Sequence, residues 1–248
     1  MRAVVVIPAR LASTRLPSKP LLDETGKALV CHVLDQAKQS KLADEVIVAT
    51  DDEKIFDVVV AYGGQAVMTR VDHPNGTSRI AEVAEGLSDD VDVIVNVQGD
   101  EPEIEPEVID ALIERMRSGD EPMATIATLF TSDDDPENPN LVKVVWDVNG
   151  RAMYFSRSCI PHDRDSDGVA VYKHVGIYAY RPDFLKTYCG LPETRYEVSE
   201  KLEQLRVLEH GYDIAVVEAA RSFPGIDTRE QYDDFVSRVK SGDSIICS

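Results

Sequence analysis

The sequence predicts an α/β fold in which a mostly parallel sheet is flanked by helices, with a smaller mixed β and hairpin excursion in the second half. Three observations indicate this class. Short β-branched apolar runs alternate with amphipathic helical segments, one strand is almost continuously apolar, and hairpin patterns begin only later. Alternating strands and helices imply parallel strands covered on both faces, and such strands carry unbroken apolar runs.

The first half of the chain alternates strands with helices. Apolar spacing predicts strands at 3–7, 45–50, 65–68 and 91–97 and, between them, helices at 29–37, 53–62 and 76–87. Gly63-Gly64 ends the second of these helices in the manner of a C-cap. This order predicts a Rossmann-like sheet, whose ligands bind beyond the carboxyl ends of its strands.

The second half departs from this pattern. Its segments are β-like at 123–130, 141–146, 152–155, 172–180 and 214–217, and helical around 202–208 and at 229–239. Val148-Asn149-Gly150 separates two of the β segments and is typical of a hairpin turn. An acidic loop at 133–139 precedes this hairpin. We therefore expect a mixed β region here.

The composition is typical of a globular protein, and the net charge argues against polyanionic partners. The 248 residues are 43% hydrophobic and 29% charged, which suits one large α/β domain. A net charge of −19 argues against nucleic acid and anionic membranes as partners. No apolar run approaches the ~18 residues of a membrane span, and the N-terminal run lacks a signal-peptide layout. We therefore expect a cytoplasmic protein.

The cysteines indicate the same compartment. Cys31, Cys159, Cys189 and Cys247 are far apart, with no C-x-x-C pair and no zinc-ligand spacing. We expect them to be free thiols in a reducing environment.

A cationic loop follows the first strand. Arg10, Arg15 and Lys19 lie within ten residues, after Pro8 ends the apolar run. Three cations at the carboxyl end of a strand suit an anionic ligand such as a polyphosphate. They form a local positively charged segment in a chain whose net charge is −19. The alternative is an ordinary solvated loop.

Two carboxylates are candidates for a metal site. Asp100 follows the strand at 91–97 and reaches the sheet edge that also carries the cationic loop. A carboxylate facing a polyphosphate indicates Mg²⁺, which prefers one or two carboxylates together with phosphate oxygens and water. Asp227, after Gly225, is the second candidate. Capping of the following helix is the alternative for each aspartate.

A turn at Asp72-His73-Pro74-Asn75-Gly76-Thr77-Ser78-Arg79 opens the third helix. Backbone N–H groups at such a start can bind an anion or the edge of a base. Taken alone, this signal is weak.

Several motifs together resemble the sugar-acid cytidylyltransferases, most closely those that act on 3-deoxy-manno-octulosonate (Kdo). The resemblance runs over about residues 4–235, and the motifs lie at 8–21, 48–52, 68–83, 95–102, 154–158, 174–181, 202–206 and 225–228. The chain departs from the family's usual residues at a few positions. It has Ser18 in place of glycine, Asn75 in place of serine, Ser78 in place of aspartate and Cys159 in place of proline.

The resemblance implies an enzyme with a nucleotidyltransferase-type fold that transfers CMP from CTP to Kdo, releasing pyrophosphate, for lipopolysaccharide synthesis. The implied catalytic residues are Arg10, Arg15, Lys19, Asp100 and Asp227, with Mg²⁺ on Asp100 and Asp227. The implied nucleotide contacts are Ala9, Arg10, Lys19, Asn75, Gly76, Arg79 and Gln98. The implied sugar contacts are Gln98, Arg157, His174, Tyr178, Glu200 and Gln204.

Among the implied sugar contacts in the second half, Arg157 suits the sugar carboxylate because a guanidinium pairs with a carboxylate through two parallel hydrogen bonds. The other four residues each have a structural alternative. His174 can be a satisfied half-buried histidine and Tyr178 a core residue, while Glu200 and Gln204 can form a solvated helix face.

The resemblance also implies an organisation. We predict one domain over 1–240, with 1–120 mainly nucleotide-binding and 121–227 for sugar binding and dimerisation, and a flexible tail at 241–248. The hairpin at Asn149-Gly150 and neighbouring strands are the expected homodimer platform.

Other functions stay open as alternatives. The nearest is a cytidylyltransferase for sialic acid or amino-Kdo, and another is a non-catalytic nucleotide-sugar-binding protein. A glycosyltransferase is disfavoured because Asp90-Val91-Asp92 precedes its strand instead of following it. A kinase is disfavoured by the lack of a G-x-x-x-x-G-K-[ST] loop.

Overall fold

A computed structural model describes residues 1–12, 15–132, 134–165, 167–221 and 225–242. Parts of the sequence predictions lie outside these residues, namely Ser13 and Thr14 of the cationic loop, Asp133 of the acidic loop, and residues 243–248 of the predicted tail with Cys247. The chain forms two compact units. Unit 1 comprises Met1–Ile113 and Phe223–Ser248, and unit 2 comprises Glu114–Ser222.

The described residues form the following elements. The strands are β1 (Arg2–Ala9), β2 (Glu45–Thr50), β3 (Gln65–Met68), β4 (Val91–Asn96), β5 (Met123–Leu129), β6 (Lys143–Trp146), β7 (Ala152–Ser156), β8 (Tyr172–Tyr180) and β9 (Ile214–Ala219). The α-helices are α1 (Leu29–Lys38), α2 (Glu53–Ala61), α3 (Gly76–Glu85), α4 (Pro106–Ser118), α5 (Pro182–Gly190), α6 (Arg195–Glu200), α7 (Gln204–Glu209) and α8 (Arg229–Ser241). A short 3-10 helix covers Lys19–Leu21.

Unit 1 contains a parallel sheet in the order β3-β2-β1-β4. Its central strand β1 is apolar because both of its faces are covered, and residues 3–7 are fully buried. Helices alternate with these strands along the chain, as the apolar spacing predicts. Asp52 caps α2 by accepting hydrogen bonds from the backbone of Lys54 and Ile55. The predicted α/β class is therefore confirmed.

The carboxyl ends of β1 and β4 lie side by side. Val97 N–H donates to the Val6 carbonyl at 3.2 Å, so the chain leaves both strands at one edge of the sheet. Gly99 lies so close to the end of β1 that an added Cβ would stand 2.6 Å from the Pro8 carbonyl oxygen. The loop after β4 therefore needs glycine at this position in order to pass over the end of β1.

The last helix belongs to the same unit as the first strands. Ile226 and the α8 residues Tyr232, Phe235 and Val236 form one buried cluster with Leu16 and Leu29. Apolar burial of this kind is the main stabilising contribution to a fold. The cluster therefore joins the beginning and the end of the chain within unit 1.

Unit 2 has a mixed sheet. Strand β5 pairs with β8 in antiparallel orientation and with β9 in parallel orientation, while β6 and β7 form an antiparallel hairpin. The hairpin turn contains Gly150 at φ 77°, and Asp147 N–H donates to the Arg151 carbonyl at 2.8 Å. The predicted mixed β region and its hairpin are confirmed.

Two details of unit 2 differ from the sequence predictions. The helix predicted around 202–208 is α7, and it is separated from a preceding helix, α6, by Lys201 in the left-handed conformation at φ 54°. Helix α5 was not predicted; its first residue is Pro182, which suits a helix start. Among the described residues, no helix has the length and apolarity to cross a bilayer.

Candidate active site

A cavity of about 290 Å³ opens at the carboxyl edge of the unit 1 sheet. It is lined by residues of three separate segments, namely Pro8, Ala9, Arg10, Ala12, Arg15, Lys19, Pro20, Gln98, Gly99, Asp100 and Asp227. The structure thus brings together the predicted catalytic residues and, of the predicted nucleotide contacts, Ala9, Arg10, Lys19 and Gln98.

Lys19 lies between the two predicted metal ligands. Its Nζ is 2.7 Å from Asp100 Oδ2 and 3.1 Å from Asp227 Oδ1. The Lys19 side chain is only 12% exposed, whereas the two carboxylates are 31% and 37% exposed. Arg15 Nη1 contacts the other Asp227 oxygen, Oδ2, at 3.0 Å. Two of the three cations that line the cavity therefore contact its two carboxylates.

Asp227 is not the cap of α8. Thr228 is the N-cap residue, and its side chain accepts a hydrogen bond from Gln231 N–H. Gln231 Oε1 accepts hydrogen bonds from the backbone N–H of Asp227 at 2.8 Å and of Thr228 at 2.9 Å. The capping box satisfies the helix start, so the Asp227 carboxylate is available for the cavity.

Asp100 also has no capping role, because α4 begins only at Pro106. Its backbone carbonyl accepts a hydrogen bond from Ile226 N–H at 2.8 Å, which links the two segments that carry the carboxylates. Gly225 stands beside it, since an added Cβ would lie 3.6 Å from Asp100 Oδ1. Backbone hydrogen bonding thus holds Asp100 and Asp227 together.

Glu101 adds a buried carboxyl group next to Asp100. Burial, and secondarily the charge of Asp100, raise the pKa of Glu101 to about 8. The group is therefore mostly protonated at neutral pH and adds little negative charge to the cavity.

Ser18 explains the shape of the cationic loop. It has φ 54° and ψ 27°, the left-handed conformation that favours glycine. The turn continues through a hydrogen bond from Leu21 N–H to the Ser18 carbonyl at 2.9 Å. A glycine at this position, which the resembled family usually has, would adopt this conformation without strain.

The predicted contacts on α3 are not among the residues that line the cavity. Asn75 is the N-cap of α3, and its Oδ1 accepts a hydrogen bond from Ser78 N–H at 2.9 Å. Gly76 lies close to Pro8, because an added Cβ would stand 3.4 Å from the proline Cγ. The nucleotide-binding roles of Asn75 and Gly76 stay predictions.

Arg79 is fully buried. Its guanidinium donates to Asp51 Oδ2 at 2.7 Å and to the hydroxyl of Thr69. These contacts join α3 to the residues that follow β2 and β3. They support a structural role for Arg79, and its nucleotide contact stays a prediction.

In unit 2 the structure brings Arg157 and Glu200 together. Glu200 accepts hydrogen bonds from the Ser156 hydroxyl at 2.8 Å and from Arg157 N–H at 2.9 Å. The Arg157 guanidinium donates to the Glu200 carbonyl at 2.6 Å and to the Pro139 carbonyl at 2.9 Å. Arg157 therefore connects three segments through backbone acceptors.

His174 and Tyr178 lie on β8 with their rings 5.5 Å apart. Burial lowers the pKa of His174 to about 3 and raises the pKa of Tyr178 well above its usual value. Thr125 Oγ1 donates to the Ile177 carbonyl at 2.8 Å and lies 3.0 Å from His174 Nε2. We assign the imidazole proton to Nε2, which leaves Nδ1 as an acceptor.

Gln204 is buried at the start of α7. Its Nε2 atom makes no hydrogen bond within the described part of the chain. A buried amide without a partner is costly unless a ligand or water satisfies it. This makes Gln204 the sugar candidate with an open hydrogen-bonding group.

Two supporting residues were missed at the level of sequence. Gln231 positions Asp227, and the Thr-x-x-Gln spacing from Thr228 is a capping-box pattern that could have revealed it. Ser156 holds Glu200, but a lone serine in a strand carries no such signal.

The cavity offers cations and paired carboxylates on loops at the carboxyl edge of a parallel sheet, where open α/β sheets bind their ligands. The chain belongs to the cytidylyltransferase family, whose model matches residues 4–214. The resemblance inferred from the motifs is thereby confirmed, and the chain is a nucleotidyltransferase enzyme.

Individual relatives extend this result over almost the whole chain. The 3-deoxy-manno-octulosonate cytidylyltransferase of Fusobacterium nucleatum is 47% identical, over 97% of this chain and 98% of the relative. The Escherichia coli protein of the same name is 46% identical, over 92% of each chain. The structure of CMP:2-keto-3-deoxy-manno-octonic acid synthetase complexed with CTP is 42% identical, with a TM-score of 0.93 and coverage of 98% and 100%.

Proposed function

We propose that this chain transfers CMP from CTP to Kdo, giving CMP-Kdo and pyrophosphate. The observation that carries the proposal is the cavity in which Lys19 and Arg15 contact Asp100 and Asp227. The names of its relatives and the CTP complex of the similar structure support the choice of nucleotide and sugar.

The cationic loop would bind the triphosphate. In the reaction, the anomeric hydroxyl of Kdo forms a bond to the α-phosphorus, the bond from that phosphorus to the bridging oxygen breaks, and pyrophosphate leaves. Arg10, Arg15 and Lys19 neutralise the charge that develops on the leaving group. Such transfers depend mainly on positioning and electrostatic stabilisation.

Asp100 and Asp227 would hold Mg²⁺. The fit is good because they supply hard oxygen ligands and already share one cation, the Lys19 ammonium. No cluster of three or more potential ligands occurs in the described ranges, so phosphate oxygens and water would complete the coordination. When bound, the ion supplies Lewis-acid stabilisation and lowers the pKa of the attacking hydroxyl.

The unit 2 residues would bind the sugar acid. The buried Nε2 of Gln204 can donate to a sugar hydroxyl, and Nδ1 of His174 can accept from one. The Arg157 guanidinium gives three of its five N–H groups to backbone carbonyls, which leaves two for the predicted pairing with the sugar carboxylate. Tyr178 and Glu200, and Gln98 in the unit 1 cavity, complete the proposed sugar contacts.

We further propose a cytoplasmic homodimer whose product serves lipopolysaccharide synthesis. The exposed apolar side chains of the β6–β7 hairpin support a dimer surface there, because Val148 is fully exposed and Met153 is 65% exposed.

Pyrophosphate release with each of the four nucleoside triphosphates, with and without Kdo, tests the proposed function. Release is expected only with CTP, Kdo and Mg²⁺ together. Release with sialic acid or amino-Kdo in place of Kdo would contradict the proposed acceptor. No release with any combination, from protein that binds CTP, would favour a non-catalytic nucleotide-sugar-binding protein.

A further inference from the structure

We infer that Lys19 and the divalent metal compete for the same pair of carboxylates, so that the triphosphate must draw Lys19 away before the metal binds tightly. The inference rests on the proposed function only in taking Asp100 and Asp227 as metal ligands. It assigns Lys19 a second role, in the order and coupling of metal and nucleotide binding.

The geometry places the Lys19 ammonium where a shared ion would have to lie. Nζ bridges one oxygen of Asp100 at 2.7 Å and one oxygen of Asp227 at 3.1 Å. An ion bound to both carboxylates also lies between them, and an ammonium group and a metal ion cannot occupy that volume together. Metal binding to the pair therefore requires the Lys19 side chain to move.

The charge balance leads to the same conclusion. Arg15 contacts the second oxygen of Asp227, so both Asp227 oxygens have cationic partners. In the absence of ligand, Lys19 and Arg15 match the charges of the two carboxylates, and Arg10 adds a further positive charge to the cavity. A divalent cation added to this cluster meets repulsion from Lys19, which is only 12% exposed and is therefore weakly screened by solvent.

A triphosphate changes this balance. Its charged oxygens are acceptors for Lys19 and Arg15, whose flexible side chains can exchange one anion for another. The two carboxylates would then lose their cations and gain affinity for the metal. By thermodynamic linkage, the metal strengthens nucleotide binding by the same factor.

Direct titration with Mn²⁺ in the absence of nucleotide tests the inference. Free Mn²⁺ is measured by electron paramagnetic resonance for the wild type and for Lys19→Met, which keeps a long apolar side chain but removes the charge. Lys19→Met is expected to bind Mn²⁺ at least ~10-fold more tightly. Adding Asp100→Asn to this variant should abolish the gain, which would locate the gain at the carboxylate pair.

Lys27→Met is a matched control. Lys27 also forms a partly buried ion pair, with Asp35, but it does not line the cavity. Its Mn²⁺ affinity should equal that of the wild type. An equal gain in both variants would show that lost net positive charge alone is responsible and would overturn the inference.

An unchanged Mn²⁺ affinity in folded Lys19→Met would also overturn it. Circular dichroism checks folding, and Lys19→Gln, which is also uncharged, replaces Lys19→Met if that variant unfolds. The titration contains neither CTP nor Kdo. A gain in Mn²⁺ affinity in Lys19→Met, with no CMP-Kdo synthesis by the wild type, would refute the proposed function alone. Normal synthesis by the wild type, with no gain in Lys19→Met, would refute this inference alone.

Discussion

The two groups of candidate residues are held in different ways. In the unit 1 cavity, Lys19 and Arg15 form ion pairs with the carboxylates of Asp100 and Asp227, so the candidate side chains contact one another. In unit 2, the Arg157 guanidinium contacts backbone carbonyls, and His174 is half-buried beside aromatic rings.

The charged side chains of the cavity can therefore exchange their partners for a ligand, whereas the contacts of Arg157 are part of the folded structure. Ion pairs between side chains can be replaced by a charged ligand with little change in the backbone. Hydrogen bonds to backbone carbonyls join segments of the fold, so that losing them affects stability. We therefore expect substitutions in the cavity to affect mainly turnover, and substitutions in the unit 2 group to affect mainly stability.

The largest effect is expected from Lys19→Met. If Lys19 stabilises the leaving group as proposed, loss of this cation should lower kcat by at least ~10²-fold, the scale of a lost transition-state contact. Pyrophosphate release checks this, with Lys27→Met as the control. Near-normal turnover would contradict the role of Lys19, even if Mn²⁺ affinity rises.

Gly99→Ala should affect both activity and stability. The new Cβ would stand 2.6 Å from the Pro8 carbonyl oxygen, so the loop that carries Asp100 must shift. We expect destabilisation by about 1–3 kcal/mol and about a tenfold loss of kcat through displaced carboxylates. Gly86→Ala is the control, because its nearest contact is an ordinary 3.5 Å. Equal effects of the two variants would exclude the close contact as the cause.

Arg157→Ala tests the unit 2 side of the comparison. The guanidinium donates to the carbonyls of Glu200 and Pro139, so its removal should destabilise the protein by about 2 kcal/mol in urea unfolding. The exposed Arg195 provides a matched control, Arg195→Ala, with an expected change within about 0.5 kcal/mol. Unchanged stability in Arg157→Ala would show that Arg157 is as exchangeable as Lys19.

His174 should make stability depend on pH. In the folded protein its pKa is about 3, whereas an unfolded histidine titrates near about 6.5. Between these values the unfolded state binds more protons, so the stabilising contribution is complete above pH ~6.5 and is lost as the pH falls towards 3. From pH 7 to pH 5, wild type should lose about 1–2 kcal/mol more than His174→Gln. Parallel pH dependences in urea unfolding would contradict a neutral, half-buried His174 in the folded protein.

The smallest effect is expected from Ser18→Gly. Relief of the left-handed backbone at φ 54° should stabilise the protein by at most about 1 kcal/mol, since glycine also loses more backbone entropy on folding. Ser18→Ala removes the hydroxyl but keeps the Cβ, so it should show no gain. The urea midpoint distinguishes the two, and a gain in both variants would point to the hydroxyl instead.

Much of the fold could be predicted because its signals are local. Strand β8 begins and ends where its apolar pattern indicates, and α2 begins at Glu53 as the apolar spacing predicts. The break at Lys201 between α6 and α7 could not be predicted, because a left-handed lysine carries no local signal. The helices and strands that were predicted correctly are those with a clear apolar periodicity or a local capping residue.

Several residues that line the cavity could be predicted from the sequence, but their contacts could not, and the predicted Asn75, Gly76 and Arg79 are not among the lining residues. Arg15, Lys19 and Asp100 follow strands whose carboxyl ends meet, which topology alone implies. The bridge from Lys19 to Asp227 joins residues 208 positions apart, so it depends on the whole of unit 1. Likewise, the burial of Arg79 against Asp51 follows from packing between elements.

Unit 1 is built from both ends of the chain, with all of unit 2 inserted between Ile113 and Phe223. During synthesis on a ribosome, Lys19 and Asp100 therefore emerge long before Asp227. A nascent chain cannot complete the carboxylate pair until the segment that carries Asp227 has left the exit tunnel. If the pair serves the reaction as proposed, a chain cut short after unit 2 would lack activity.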